Sequence, residues 1–111
     1  MYPCKTPCNI GAQIADYKSG DSITVNALLK AGGIKAETGT FTILSYRITM
    51  DGTGFCCDLY EIDNPGDKFI ERALSLFRRS RRGVFMSIDC ITAKDSNGYI
   101  TGLKPAVYTI R

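Results

Sequence analysis

Between Asp67 and Ile91 the sequence changes its hydrophobic period once, and that change limits what the rest of the chain can fold around. Phe69, Ile70, Ala73, Leu74, Leu76 and Phe77 recur at helical spacing, with Lys68, Glu71, Arg72, Ser75 and Arg79 on the opposite side. Asp67 follows the breaker Asn64-Pro65-Gly66 and can cap this helix. Acidic Asp67 and Glu71 stand at its start and Arg78 and Arg79 at its end, the arrangement the helix dipole favours. Gly83 then releases the chain into a strand in which Val84, Met86, Ile88 and Cys90 alternate with Phe85, Ser87, Asp89 and Ile91. That strand is predicted to be buried on both faces for part of its length, with Cys90 on the inward side. A helix with one broad apolar stripe, followed by a strand this apolar, calls for a sheet that the helix covers.

The flanking sequence supplies the sheet. Phe41 to Met50 is rich in β-branched and aromatic residues, Asp51-Gly-Thr-Gly54 is a turn, and Phe55 to Ile62 resumes as a strand, giving a hairpin. After the main helix, Asp95-Ser-Asn-Gly98 marks a second hairpin turn into Tyr99 to Leu103, and Pro105 interrupts before Ala106 to Ile110. Earlier, Thr24 can cap a short helix within Ser22 to Gly33 that ends on Gly32-Gly33, and a short strand is expected in Ile34 to Thr38. Residues 1–19, with Pro3, Pro7, Gly11 and two cysteines, read as an N-terminal tail or linker with one edge strand. Residues 20–111 then form a single, mainly β domain with one main α-helix and one short helix, the helices lying on the rim or one face of the sheet.

Chemistry is thin in this inventory. The 111 residues include no histidine, so Ser/His/Asp and Cys/His catalysis cannot be assembled within the chain and the commonest general base is missing. Asp89, Asp95, Asn97 and Gly98 fit no EF-hand spacing, and the glycines form neither a P-loop nor a dinucleotide fingerprint. No enzyme activity, small-molecule substrate, metal or cofactor is expected. The net charge of +3 is mild, but Arg72, Arg78, Arg79, Arg81 and Arg82 fall together, just after Asp58, Glu61, Asp63, Asp67 and Glu71. These arginines suit a solvated helix end. They are also the candidate partner contact, with an acidic protein face preferred over nucleic acid because the six tyrosines lie away from them in sequence.

The five cysteines, Cys4, Cys8, Cys56, Cys57 and Cys90, are odd in number, so at least one is free or paired between chains. Cys4 and Cys8 are near enough to close a small loop in an oxidising compartment and form the candidate disulfide. Cys56 and Cys57 face opposite sides of a strand and are read as ordinary small residues, and Cys57 and Cys90 flank the helix as either reduced core thiols or a second bond. The first residues contain no apolar leader, which fits a cytosolic chain or a mature segment.

The order of signals resembles a known family. Gly20-Asp-Ser-Ile-Thr-Val-Asn-Ala-Leu-Leu-Lys-Ala-Gly-Gly-Ile-Lys-Ala-Glu37 is followed by Ile43-Leu-Ser-Tyr-Arg-Ile48 and Gly54-Phe55. After the helix come Arg81-Arg-Gly-Val-Phe85, Asp89-Cys-Ile91, Asn97-Gly98, Leu103-Lys-Pro105 and Tyr108-Thr-Ile110. From about Ile10 onward the chain is similar to the C-terminal periplasmic domains of the gliding-motility protein family GldM, also called PorM, of the Bacteroidota type IX secretion system. The resemblance implies an Ig-like β-sandwich in the periplasm or cell envelope, other envelope or secretion proteins as partners, a homodimeric arrangement and a mechanical role without an active site. The alternative is a free-standing secreted or periplasmic Ig-like binding module.

Overall fold

The described residues of the computed structural model, 4–51 and 60–111, form eight strands and two helices. In chain order they are β1 (Pro7–Gln13), β2 (Ser22–Ile23), α1 (Val25–Ala31), β3 (Lys35–Ala36), β4 (Thr42–Asp51), β5 (Tyr60–Pro65), α2 (Glu71–Arg79), β6 (Phe85–Lys94), β7 (Ile100–Lys104) and β8 (Ala106–Ile110). The fold is mainly β with two helices in one domain, built on a curled mixed sheet. Its radius of gyration, 13.2 Å, matches the roughly 13 Å of a compact chain of this length.

β6 is the centre of the sheet. It pairs antiparallel with β4 on one side and, on the other, first with β8 and then with β7, which Pro105 separates. β1 adds parallel to β7, β2 adds parallel to β8, and β5 closes the far side by pairing antiparallel with β4. The inward residues line up across strands: Ile62, Ile48, Ile88 and Ala106 in one row, and Met50, Met86 and Tyr108 in the next. Leu28 of α1 and Ala73, Leu76 and Phe77 of α2 are buried in the same core. Phe77 and Tyr46 both meet the edge or face of Phe69, with ring centroids 4.9 and 6.3 Å apart.

The expected alternation along β6 holds for Val84, Met86 and Ile88 and then breaks. Cys90 has a left-handed backbone (φ 50°), the extra residue of a bulge, and beyond it Ile91 and Ala93 point inward. Cys90 was expected on the inward side with Met86 and Ile88; the bulge puts Ile91 there instead. β4 slips beside it, between Ile43 and Ser45 and between Ser45 and Arg47, and Pro105 makes the matching break between Leu103 and Ala106.

α1 begins and ends as its sequence predicts. Thr24 Oγ1 accepts a bond from the Ala27 amide at 3.1 Å, and Gly32, with φ 75°, donates from its amide to the Leu28 carbonyl at 3.2 Å. α2 differs. Asp67 does not cap it, because residues 67–69 run extended against the end of α1: the Ile34 amide donates to the Asp67 carbonyl (3.0 Å) and the Phe69 amide to the Gly32 carbonyl (2.8 Å). Tyr46 Oη donates to the same Asp67 carbonyl at 3.0 Å. A Cβ on Gly33 would collide with that carbonyl, so the crossing requires glycine. The helix starts at Glu71 with Ile70 as its N-cap, whose side chain makes no capping bond, and buried Asn64 holds the segment that leads into it. Its Oδ1 accepts from the Ile70 amide at 2.9 Å while Nδ2 donates to the Lys68 and Pro65 carbonyls.

Residues 1–19 were expected to be a tail or linker with one edge strand; the strand is β1, which lies between β7 and β3 with Gly11, Ala12 and Ile14 buried. Tyr108 fastens it from the far end of the chain, accepting from the Ile14 amide (3.2 Å) and donating to the Tyr17 carbonyl (2.7 Å). The candidate pairing of Cys4 with Cys8 is not the one the structure has. Cys4 is bonded to Cys90, with Cα atoms 4.9 Å apart, and Cys8 is a free, half-buried thiol. The path to Cys90 passes so close to β7 that a Cβ on Gly102 would stand 2.7 Å from the Lys5 carbonyl oxygen. Cys56, Cys57 and the first hairpin turn lie outside the described residues.

Tyr108→Phe would strip the partner from two backbone groups at once and is expected to lower stability by about 1–3 kcal/mol in urea unfolding. Gly102→Val is expected to push the Lys5–Thr6 backbone away, so that thiol mapping by mass spectrometry finds Cys4 and Cys90 alkylated in a larger share of molecules.

Candidate functional site

The five arginines that cluster in sequence separate in space. Within α2, Arg72, Ser75, Leu76 and Arg79 follow the i, i+3, i+4, i+7 spacing of one helical stripe, and this stripe faces β5. Together with Tyr60, Glu61 and Ile62 they line an open groove of about 260 Å³ between helix and strand. Leu76 and Ile62, 6% and 4% exposed, form its apolar floor. The Arg79 guanidinium carbon lies 5.7 Å from the centre of the Tyr60 ring, a cation–π distance. Arg78 points elsewhere, to Glu71 Oε1 at 3.1 Å, and Arg81 and Arg82 stand exposed beyond the helix on the turn into β6. Thus Arg72 and Arg79 share one groove, and Arg78 is occupied by an ion pair within its own helix.

A second cleft, of about 550 Å³, opens where the end of α1 meets the segment before α2. It is lined by Ala15, Ala31, Gly32, Gly33, Ile34, Lys35, Asp67 and Lys68. The backbone bonds of residues 32–34 and 67–69 described above form its wall, and the ionic groups at its mouth are of mixed sign.

On the outer face of the sheet, Arg47 Nε approaches Asp63 Oδ1 at 3.4 Å, and Arg47 is also the cross-strand neighbour of Asp89. Burial pushes the Asp89 carboxyl above its ordinary range; Arg47 draws it down, and Glu61 pushes it up. Its Oδ1 is buried with no hydrogen-bond partner among the described residues. Burial also holds the two structural tyrosines protonated: Tyr108 is pushed up to about 12, and Tyr46 is raised further, with help from Asp67. Their hydroxyls therefore stay donors across the physiological range.

At the turn before β7, Asp95 Oδ1 accepts from the Asn97 and Tyr99 amides at 2.9 and 3.0 Å. Among the described residues no three His, Cys, Asp or Glu side chains come together as a metal site, and no helix is long and apolar enough to cross a membrane. Compared with known proteins, the chain matches no family model, and no curated protein is significantly similar to it.

The sequence groups Arg72 and Arg79 with Arg78, Arg81 and Arg82; in the structure the first two line the groove and the other three lie outside it. The spacing of 72, 75, 76 and 79 was the signal that separates them from Arg78. The contribution of Tyr60 and Ile62 had no local signal, since it depends on which strand lies beside α2.

A carboxyl whose pKa is raised by folding binds protons more tightly in the native than in the unfolded state, so its contribution to stability falls as pH rises through the carboxylate range. Asp89→Asn is therefore expected to raise the melting temperature relative to wild type at pH 7 more than at pH 3, as followed by circular dichroism.

Proposed function

We propose that this chain is a non-catalytic protein-interaction domain of the GldM/PorM type, working in the periplasm or cell envelope as part of a type IX secretion and gliding-motility apparatus. The observation that carries the interaction reading is the groove between α2 and β5, where Arg72 and Arg79 stand beside a strand that, among the described residues, pairs with β4 alone. The absence of histidine argues in the same direction, against acid–base chemistry at this site. The cell-envelope location draws support from the bond between Cys4 and Cys90, since such bonds persist in oxidising compartments. The family assignment and the Ig-like description rest on the order of motifs from Gly20-Asp21 to Tyr108-Thr-Ile110. The mixed sheet, with β1 running parallel to β7 at its side, is compatible with an Ig-like arrangement.

The test is made in the native cell. Fractionation with thiol trapping is expected to find the chain in the envelope with Cys4 and Cys90 protected, and the charge reversal Arg72→Glu with Arg79→Glu is expected to lower protein secretion or gliding at unchanged protein level. A cytosolic chain with free Cys4 and Cys90 would overturn the location, and unaltered secretion and gliding in the reversed variant would overturn the interaction reading.

A further inference from the structure

We propose that the groove between α2 and β5 receives an extended segment of a partner protein that carries carboxylates at alternate positions, adding as a further strand to the edge of β5 that Glu61 and Asp63 turn away from β4. The inference rests on the interaction reading above and names the chemistry of the partner.

The strand edge sets the backbone half of the recognition. β4 and β5 pair in the register Tyr46 to Asn64 and Ile48 to Ile62, and the Gly66 amide donates to the Leu44 carbonyl at 2.7 Å, one step further along the same ladder. Hydrogen-bonded positions alternate in an antiparallel pair, so Tyr60, Ile62 and Asn64 turn their backbone groups toward β4, whereas Glu61 and Asp63 turn theirs outward. No other strand among the described residues pairs with β5. Two residues, each with one amide and one carbonyl, match an incoming strand of four to five residues. Pro65 ends the ladder because it has no amide to offer.

The side chains set the other half. Residues of an added strand point alternately to the two faces of the sheet. On the face of Ile62 they meet the apolar floor of Ile62 and Leu76 and then the guanidinium groups of Arg72 and Arg79. Among the described residues neither of these arginines has a carboxylate within ion-pair distance, in contrast to Arg78. A planar guanidinium prefers a carboxylate partner, so this face selects Asp or Glu. On the opposite face the same strand runs past the Glu61 and Asp63 side chains, where further carboxylates would be repelled. The pattern is therefore acidic at every second residue, with neutral or basic residues between. A second copy of this chain fits poorly, because β5 laid antiparallel on β5 would set Glu61 and Asp63 against the same two carboxylates. The partner is thus a different protein.

The test uses the whole chain and a fluorescein-labelled heptapeptide of alternating glutamate and valine, followed by anisotropy. Saturable binding at low salt is expected, weakening at least about fivefold at high ionic strength, as charge-assisted contacts do. Arg72→Ala with Arg79→Ala is expected to weaken it by about tenfold or more, on the scale of two charge-assisted bonds. Arg81→Ala with Arg82→Ala is expected to leave it within about twofold, as for charges outside the groove. A peptide N-methylated at the amides facing β5 tests the ladder without altering the protein and is expected to lose binding. Hydrogen exchange at the Glu61 and Asp63 amides should slow on addition of the unmethylated peptide. Equal binding by the methylated peptide, equal binding by a lysine-valine peptide, or no saturable binding at about millimolar protein, the weak end of the affinity scale, would each overturn the proposal. If those failures occur while the Arg72→Glu, Arg79→Glu chain still impairs secretion, the interaction domain stands and its partner binds in another way.

Discussion

Three breaks of register lie side by side in the sheet, and the hydrophobic core depends on their agreement. In β6 the break is the left-handed Cys90, in β4 it is the double slip around Ser45, and between β7 and β8 it is Pro105. Had only one strand slipped, its residues beyond that point would have turned to the wrong face, since side chains alternate with a period of two. Because all three shift, Ile43, Ala93, Ile91 and Leu103 continue inward beyond the break, as Met50, Met86 and Tyr108 do before it. Bulges also add local twist, which is how one sheet curls far enough to enclose a core that, among the described residues, two short helices cover.

The same break decides where the N-terminus goes. The bulge turns Cys90 away from the core row of Met86 and Ile88 and offers it to Cys4, and Gly102, without a side chain, leaves room for the backbone that makes the approach. β1 then has a fixed start and pairs along β7, and Tyr108 secures the turn that follows it. Burial of Ala12 and Ile14 completes an arrangement in which the first strand of the chain runs beside β7, near its end.

Sequence alone carried the local elements well. The apolar stripe of α2, the Thr24 and Gly32 ends of α1, the Asn97-Gly98 turn and the interruption at Pro105 are all signalled within a few residues of where they act. What it missed was decided by contacts far along the chain. Asp67 has the right residue type and place for a cap, but its backbone is claimed by the end of α1, and the helix starts only after Ile70, whose amide Asn64 holds. Cys90 continues the inward pattern on paper, and nothing local announces that it will take a left-handed conformation. At the candidate site the helix stripe from Arg72 to Arg79 was readable from spacing, whereas its pairing with β5 was a matter of topology.

The bond between Cys4 and Cys90 has a consequence for a domain placed under tension. Force applied at the two ends of the chain enters at Cys4 and passes by a covalent route directly to β6, bypassing the residues between, a sequence separation of 86. Only the stretch from Cys90 to Arg111 can then unravel, which at about 3.5 Å per residue allows roughly 70 Å of extension. That stretch is held by β8, which pairs antiparallel with β6 and parallel with β2, so pulling along the strands loads many ladder bonds together in shear. A pull on the two ends would therefore lengthen the domain by a limited amount before the disulfide arrested it.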